Sequence, residues 1–469
     1  MMTNRISSGA ESVDVVLGGG LPRDGISLIV GLPGSGKTIL AQQCVFANAR
    51  PERPALYLST VSEPLEKILR YGQTLTIFDT AKVGKSVYYE DLGSIMHEGA
   101  FSGVLDRVRG LIRERRPAVI VIDSFKALHA YAVDGADFRR FLHDLAGMLS
   151  AYPVTTLWVG EYGQDEIVLA PEFAVADAII ALGSVGVAER TSRVLQVLKL
   201  RGGAFSSGQH AYRLSSSGIT AFPRLADPVD VTDYRLGNTR FQSGIAALDD
   251  MLENGIWPGS SILLAGPTGV GKTLMGLTFV FHGVRHGDPG LIATLQENPI
   301  QLERTAQQFG WSMTEADITL MYRSPVDLYL DEWVHEFLNQ VEATGARRVL
   351  IDSLGDLQAI SGDATRFREY FYSLTQRCSR RGVTLLSTYE VPELYGLTHL
   401  SKHSVSHLAD NVVILQYRDS GQTVSRTLTV LKTRSASHDP HIREFQISTN
   451  GITLAPPLHE RPINIEEEW

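Results

Sequence analysis

Two octapeptides in this chain have the residue types and spacing to hold a polyphosphate: Gly31-Leu32-Pro33-Gly34-Ser35-Gly36-Lys37-Thr38 and Gly266-Pro267-Thr268-Gly269-Val270-Gly271-Lys272-Thr273. Their glycines let the backbone curl until its N–H groups converge on an anion. The lysine adds a point charge on the terminal phosphates, and the threonine hydroxyl can ligate Mg2+. Each octapeptide follows a short apolar run, Ile26 to Val30 or Ile262 to Ala265, and opens a helix-like segment. This is the strand-loop-helix context that the chemistry requires. A triphosphate is therefore expected on Gly31, Gly34, Ser35, Gly36, Lys37 and Thr38, and another on Gly266, Gly269, Val270, Gly271, Lys272 and Thr273.

The metal shell needs a carboxylate as well. Ala118-Val119-Ile120-Val121-Ile122-Asp123-Ser124 and Arg348-Val349-Leu350-Ile351-Asp352-Ser353 are short apolar runs ending in an acid. That is the pattern of a buried parallel strand presenting a carboxylate at its C-terminal edge. With Thr38 and Thr273, Asp123 and Asp352 are expected to make two Mg2+ sites.

The elements that must position these residues occur twice. Ile6-Ser7-Ser8-Gly9 with Asp14 corresponds to Phe241-Gln242-Ser243-Gly244 with Asp249, and the offset of 235 residues between the aspartates also separates Lys37 from Lys272. Further along, Ala176-Asp177 matches Ala409-Asp410, Leu198-Lys199-Leu200-Arg201 matches Leu431-Lys432-Thr433-Arg434, and Gly218-Ile219-Thr220 matches Gly451-Ile452-Thr453, now at an offset of 233. A whole domain has been duplicated. The expected organisation is an α/β protein with domains at 1–222 and 239–455. Residues 223–238 have the aperiodic, polar, proline-containing character of a linker. A tail at 456–469, ending Glu466-Glu467-Glu468-Trp469, has no core pattern.

Composition narrows the function. The 469 residues carry a net charge of -9, so no global basic field draws the chain to nucleic acid. The two cysteines, Cys44 and Cys378, lie far apart without metal-ligand spacing, and Cys44 reads as a small buried apolar residue. Neither a charged-then-apolar leader nor an apolar span of membrane length is visible. A reduced, cytoplasmic location without membrane attachment is the expectation.

With the repeat laid out, the chain resembles the KaiC family of double-domain RecA-like ATPases. The resemblance rests on the paired phosphate loops, the Ser-Gly/Leu-Asp opening of each copy and the two Ile-Asp-Ser strand ends. It also rests on Lys199-Leu200-Arg201-Gly202 and on His438-Asp439 with Ile442-Arg443-Glu444-Phe445. It implies two tandem RecA-like P-loop NTPase domains, each a mostly parallel central sheet flanked by helices. It also implies ATP and Mg2+ as ligands and a homo-hexamer of two stacked rings. In the family a Lys-x-Arg segment reaches the nucleotide of the neighbouring subunit, so Lys199, Arg201, Lys432 and Arg434 are the corresponding positions.

Departures from the family pattern matter equally. Where the family carries a Glu-Glu pair after the strand following each phosphate loop, the second copy has Gln296-Glu297 and the first has Val61-Ser62, with Glu63 displaced by one position. Glu297 is then the expected base, Gln296 a group able to orient water, and the first domain binds ATP better than it hydrolyses it. At the family's Ser-Thr autophosphorylation pair stand Ser406 and His407, with Ser401 at a further hydroxyl position, so Ser406 is the expected acceptor. The tail is shorter than that of the clock protein, which argues against control by the activator that works through it. The expected activity is slow ATP hydrolysis, aided by Lys37 and Lys272, with serine autophosphorylation in the second domain and signalling proteins as partners. Its rivals are an ATP-gated signalling scaffold with little turnover and, disfavoured by the acidic balance, a DNA-acting motor or recombinase.

Overall fold

The computed structural model describes residues 4–60, 65–96, 101–187, 190–225, 239–391, 409–419, 423–434 and 437–457. It divides into two compact units, Met1–Arg224 and Leu225–Trp469.

In the first unit nine strands form one sheet: β1 (Ile26–Gly31), β2 (Ala55–Ser59), β3 (Val87–Asp91), β4 (Val119–Asp123), β5 (Thr155–Gly160), β6 (Ala178–Val187), β7 (Arg190–Leu200), β8 (Gln209–Ser215) and β9 (Gly218–Phe222). Their spatial order is β9-β8-β7-β6-β1-β5-β4-β2-β3. From β6 to β3 all neighbours are parallel, and β7 to β9 extend the sheet antiparallel. The parallel strands are apolar at successive positions because both faces are covered. Alternate side chains of one strand enter opposite cores: Val119 and Val121 join helix α1 (Lys37–Asn48), whereas Ile120 and Ile122 meet α2 (Phe101–Arg115) and α3 (Gly135–Ser150).

The second unit repeats this plan. Strands β10 (Ser261–Gly266), β11 (Gly290–Thr294), β12 (Ile318–Tyr322), β13 (Arg348–Asp352), β14 (Thr384–Glu390), β15 (Asn411–Asp419), β16 (Val424–Thr433), β17 (Arg443–Ser448) and β18 (Gly451–Pro457) lie in the order β12-β11-β13-β14-β10-β15-β16-β17-β18. Helix α4 (Lys272–Val284) covers one face, with α5 (Leu330–Thr344) and α6 (Ala364–Arg380) on the other. Two tandem RecA-like domains of α/β class are thus present. Strand β18 runs to Pro457, beyond the expected domain end at 455. Proline is tolerated there because β18 is an edge strand. Residues 226–238 of the expected linker and 458–469 of the tail lie outside the described residues.

Two repeated aspartates hold the strand that carries each phosphate loop. Asp177 Oδ2 accepts a bond from Ile26 N at 3.0 Å and Asp410 Oδ2 one from Ser261 N at 2.9 Å, pinning the starts of β1 and β10. The aspartates of the opening motif close a turn: Asp14 Oδ1 accepts from Ser8 N and Asp249 Oδ1 from Ser243 N, each at 2.7 Å. The glycine of that turn is required sterically. Gly9 has φ +86°, and a Cβ there would lie 2.3 Å from Gln43 O on α1. Gly9→Ala should therefore lower the stability of the first unit by about 1–3 kcal/mol, read as a lower denaturant midpoint with an unchanged m-value.

Candidate functional site

The phosphate loops leave the C-terminal ends of β1 and β10 and turn into α1 and α4. Two glycines of each loop adopt left-handed backbone, Gly34 (φ +74°) and Gly36 (φ +91°) in one, Gly269 (φ +75°) and Gly271 (φ +116°) in the other. A Cβ on Gly36 would strike Leu214 of β8, and one on Gly271 would strike Ile447 of β17. The antiparallel extension therefore backs the loop and fixes its curl.

Lys37 Nζ donates to Leu32 O at 3.0 Å, and Lys272 Nζ donates to Gly266 O and Pro267 O at 2.8 Å. Burial lowers the pKa of both ammonium groups, opposed by Glu161 and Asp123 in the first unit and by Glu390 and Asp352 in the second. Thr38 Oγ1 donates to Asp123 Oδ2 at 2.9 Å, and Thr273 Oγ1 donates to Asp352 Oδ2 at 2.7 Å. Loop threonine and strand-end aspartate thus meet in both units. Among the described residues no cluster of three or more His, Cys, Asp or Glu side chains is placed to cage a metal. A threonine and one carboxylate, completed by phosphate oxygens and water, is the donor set that suits Mg2+, so these residues fit the nucleotide and its ion.

The remaining sequence candidates fall into three groups. Glu297 follows β11, half-buried, and its carboxyl is held above the usual range first by burial and then by the charge of Asp352. Exposed Gln296 turns its Nε2 toward Asp356 Oδ1 at 3.4 Å. Lys199, Arg201, Lys432 and Arg434 lie at the other edge of their sheets: Lys199 Nζ donates to Phe173 O and Ala174 O, and Lys432 Nζ to Ala409 O. Arg201 and Arg434 sit against Asp177 and Asp410 at 3.4 and 3.5 Å, their side chains 61% and 51% exposed. The length of β1 or β10 separates each of these residues from its own loop, about 15–20 Å. Val61, Ser62, Glu63, Ser401, Ser406 and His407 lie outside the described residues.

Several loop contacts were not anticipated from sequence. Glu161, just past β5, has Oε1 3.7 Å from Lys37 Nζ, and Glu390, ending β14, accepts a hydrogen bond from the Thr268 hydroxyl of the second loop. Both strands flank the loop strand, and Gly266 pairs with Glu390 in register. Tyr57 OH donates to Asp123 Oδ2 at 2.5 Å, Thr388 Oγ1 donates to Asp352 Oδ1, and Arg193 Nη1 donates to Gly34 O at 2.7 Å. An acid closing each of two corresponding apolar strands was the available signal for Glu161 and Glu390.

The sequence model of the KaiC ATPase family matches residues 6–226 and 241–459, one repeat each. The chain belongs to the KaiC family. It is 28% identical over 466 residues to the circadian clock oscillator protein KaiC of Rippkaea orientalis, covering 96% of this chain and 88% of that protein. It is also 28% identical over 473 residues to the circadian clock protein KaiC3 of Synechocystis sp., covering 97% and 92%. Membership in this ATPase family implies ATP at the two loops. Among the described residues no helix is long and apolar enough to cross a membrane.

The electrostatics of this KaiC-family site set a pH dependence. A base must be ionised to act, and burial, followed by the charge of Asp352, makes Glu297 keep its proton to a higher pH than an ordinary glutamate does. With Glu297 as the base, turnover of the intact protein should fall on acidification at a higher pH than an ordinary glutamate would give. Glu297→Gln should remove this limb of the profile.

Proposed function

We propose that the protein is a cytoplasmic, homo-hexameric, Mg2+-dependent ATPase of two stacked rings. In this reading the nucleotide at each loop is completed by Lys199 and Arg201, or Lys432 and Arg434, from the adjacent subunit. The observation that carries the proposal is the position of these pairs: about a strand's length from their own loop, with exposed guanidinium groups. A group so placed has no route to its own nucleotide but is presented to a neighbour's. Assembly and catalysis then depend on each other.

The chemistry is phosphoryl transfer to water. ATP with its Mg2+ supplies the reactive phosphoanhydride and neutralises charge on it. Lys37 and Lys272 stabilise the terminal phosphates, and Thr38 with Asp123 and Thr273 with Asp352 orient the metal shell. In the second domain Glu297 accepts the proton of the attacking water, with Gln296 beside it to orient that water. The first domain has Val61 and Ser62 at the corresponding positions, which supports a mainly structural role for its nucleotide. Serine autophosphorylation at Ser406 and a clock-related signalling role extend this reading by analogy with the family. An ATP-gated signalling scaffold is the second reading, favoured by the missing acids of the first domain.

Mixing distinguishes a shared site from a self-contained one. Lys272→Ala and Arg434→Ala should each lose second-domain turnover alone, and equimolar mixtures should regain a substantial fraction, because mixed rings contain intact junctions. Light scattering should show ATP converting smaller species into the ring. Mixtures no more active than their components, or a monomeric mass at saturating ATP, would reject the proposal.

Released phosphate and protein-bound label, followed separately with γ-labelled ATP, divide the finer assignments. Glu297→Gln should lower turnover on the order of a hundredfold to ten-thousandfold, Glu63→Gln should change it little, and Ser406→Ala should abolish bound label. Acid-labile phosphate on His407, or undiminished label in Ser406→Ala, contradicts the acceptor assignment. Neither release nor labelling in assembled rings leaves the scaffold reading.

A further inference from the structure

The edge of the first sheet opposite its phosphate loop contains a cavity of about 570 Å3. Ile112, Pro117 and Val154 supply a buried apolar floor, and the exposed side chains of Arg53, Arg113 and Arg116 stand on its rim with Glu52. A smaller cavity of about 170 Å3 adjoins it through Arg53 and adds Arg23 and Arg50, with Asp24. Among the described ion pairs none involves any of these five arginines. Arg53 Nη2 donates to Pro153 O at 2.5 Å and Arg113 Nε to Tyr152 OH at 3.4 Å. Uncharged acceptors thus hold two guanidinium groups at the mouth without cancelling their charge.

The duplication supplies an internal control. Helices α2 and α5 and strands β4 and β13 correspond at a constant offset of 229 residues, and β2 and β11 at 235. On this alignment Arg53 stands where the second unit has Asp288, and Arg113 stands where it has Glu342. Those acids are paired there: Asp288 with Arg347 at 2.7 Å and Glu342 with Arg381 at 3.0 Å. The first unit has arginine in place of both acids and uncharged Ala118 and Tyr152 in place of the arginines facing them. Arg116 is equally telling. It occupies the left-handed position after the helix (φ +48°) that the second unit fills with Gly345 (φ +64°), a conformation in which an L-residue is strained. Attraction of cations to the C-terminus of α2 accounts for Arg113 and Arg116 but not for Arg53, which enters from another loop.

We propose that this cavity is a binding site for a small organic oxyanion, one carrying phosphate or carboxylate groups on an apolar or aromatic body. Guanidinium forks match such groups bidentately. The volume falls in the range of small-molecule sites, and the apolar floor beside Tyr152 takes the body of the ligand. The site is separate from the phosphate loops, and at the corresponding described positions of the second unit the ion pairs of Asp288 with Arg347 and Glu342 with Arg381 take the place of the arginine rim.

The test uses the full chain loaded with a non-hydrolysable ATP analogue and Mg2+, then freed of excess nucleotide. Calorimetric titration with phenyl phosphate, fructose 1,6-bisphosphate, citrate and deca-glutamate should give one site per chain for at least one of the three small anions. Binding should weaken more than tenfold in Arg53→Asp/Arg113→Glu, which restores the second unit's acids. The milder Arg53→Ala and Arg113→Gln should each weaken it severalfold at unchanged Tm, covering the case in which the double variant misfolds. Preference for the phosphates or for citrate identifies the headgroup, and either supports the site. Absence of binding by all three small anions, affinity unmoved by the substitutions, or binding of deca-glutamate alone would overturn the assignment.

Discussion

The hydrogen bond from a loop threonine to a strand-end aspartate, Thr38 to Asp123 in one unit and Thr273 to Asp352 in the other, is the contact on which the rest of each site depends. It requires the loop strand and the aspartate strand to end at the same sheet edge although β5, or β14, lies between them. Parallel strands meet that requirement, because each crossover returns the chain to the starting edge and leaves every C-terminal end on one side. Tyr57 on β2 and Thr388 on the intervening β14 then bind the aspartates. The carboxylates are therefore oriented by the sheet itself, and their geometry does not rest on the loops alone.

Duplication has let the two copies settle one problem, charge at a sheet edge, in different ways. In the second unit Arg348 is nearly inaccessible and donates to Asp288, Gln242 O and Phe279 O, a satisfied buried cation at the base of β13. The corresponding position of the first unit is Val119, fully buried in the core. Once that arginine is absent, no acid is needed opposite it, and Arg53 is tolerated where Asp288 would otherwise balance a buried charge. The basic rim of the first unit is thus compatible with its fold, while the same substitution in the second unit would leave Arg348 without its carboxylate.

Periodicity and motif made much of this architecture legible. Both phosphate loops, both Ile-Asp-Ser strand ends and the paired Ala-Asp and Lys-x-Arg segments follow from residue type and a nearly constant offset, because glycine turns and buried parallel strands leave strong local signatures. What escaped depends on contacts between distant segments. Glu161 and Glu390 carry no local mark beyond closing an apolar strand, and their approach to Lys37 and Thr268 arises only when β5 and β14 pair beside the loop strands. Arg193 reads as an ordinary polar residue of an alternating strand, yet the antiparallel return of β7 brings it to Gly34 O. The arginine-rimmed cavity gathers residues from the end of α2 and from the segments leading into β2, β4 and β5, and a net charge of -9 conceals it.

Asp177 and Asp410 connect the two ends of each site. One oxygen of each carboxylate accepts from the first residue of the loop strand, Ile26 or Ser261, and the other faces Arg201 or Arg434 at 3.4–3.5 Å. The strand bond is the shorter of the two, whereas the arginine contact is long and solvent-exposed. In the ring proposed above, a neighbour's phosphates compete with the aspartate for that guanidinium. The competition is favourable because a polyphosphate carries more charge than one carboxylate and accepts bidentate bonds. Release of the arginine leaves the aspartate on the strand it already holds. In that ring each phosphate loop would be positioned by a residue that also faces the adjacent subunit, a physical route by which nucleotide at one junction would influence the next.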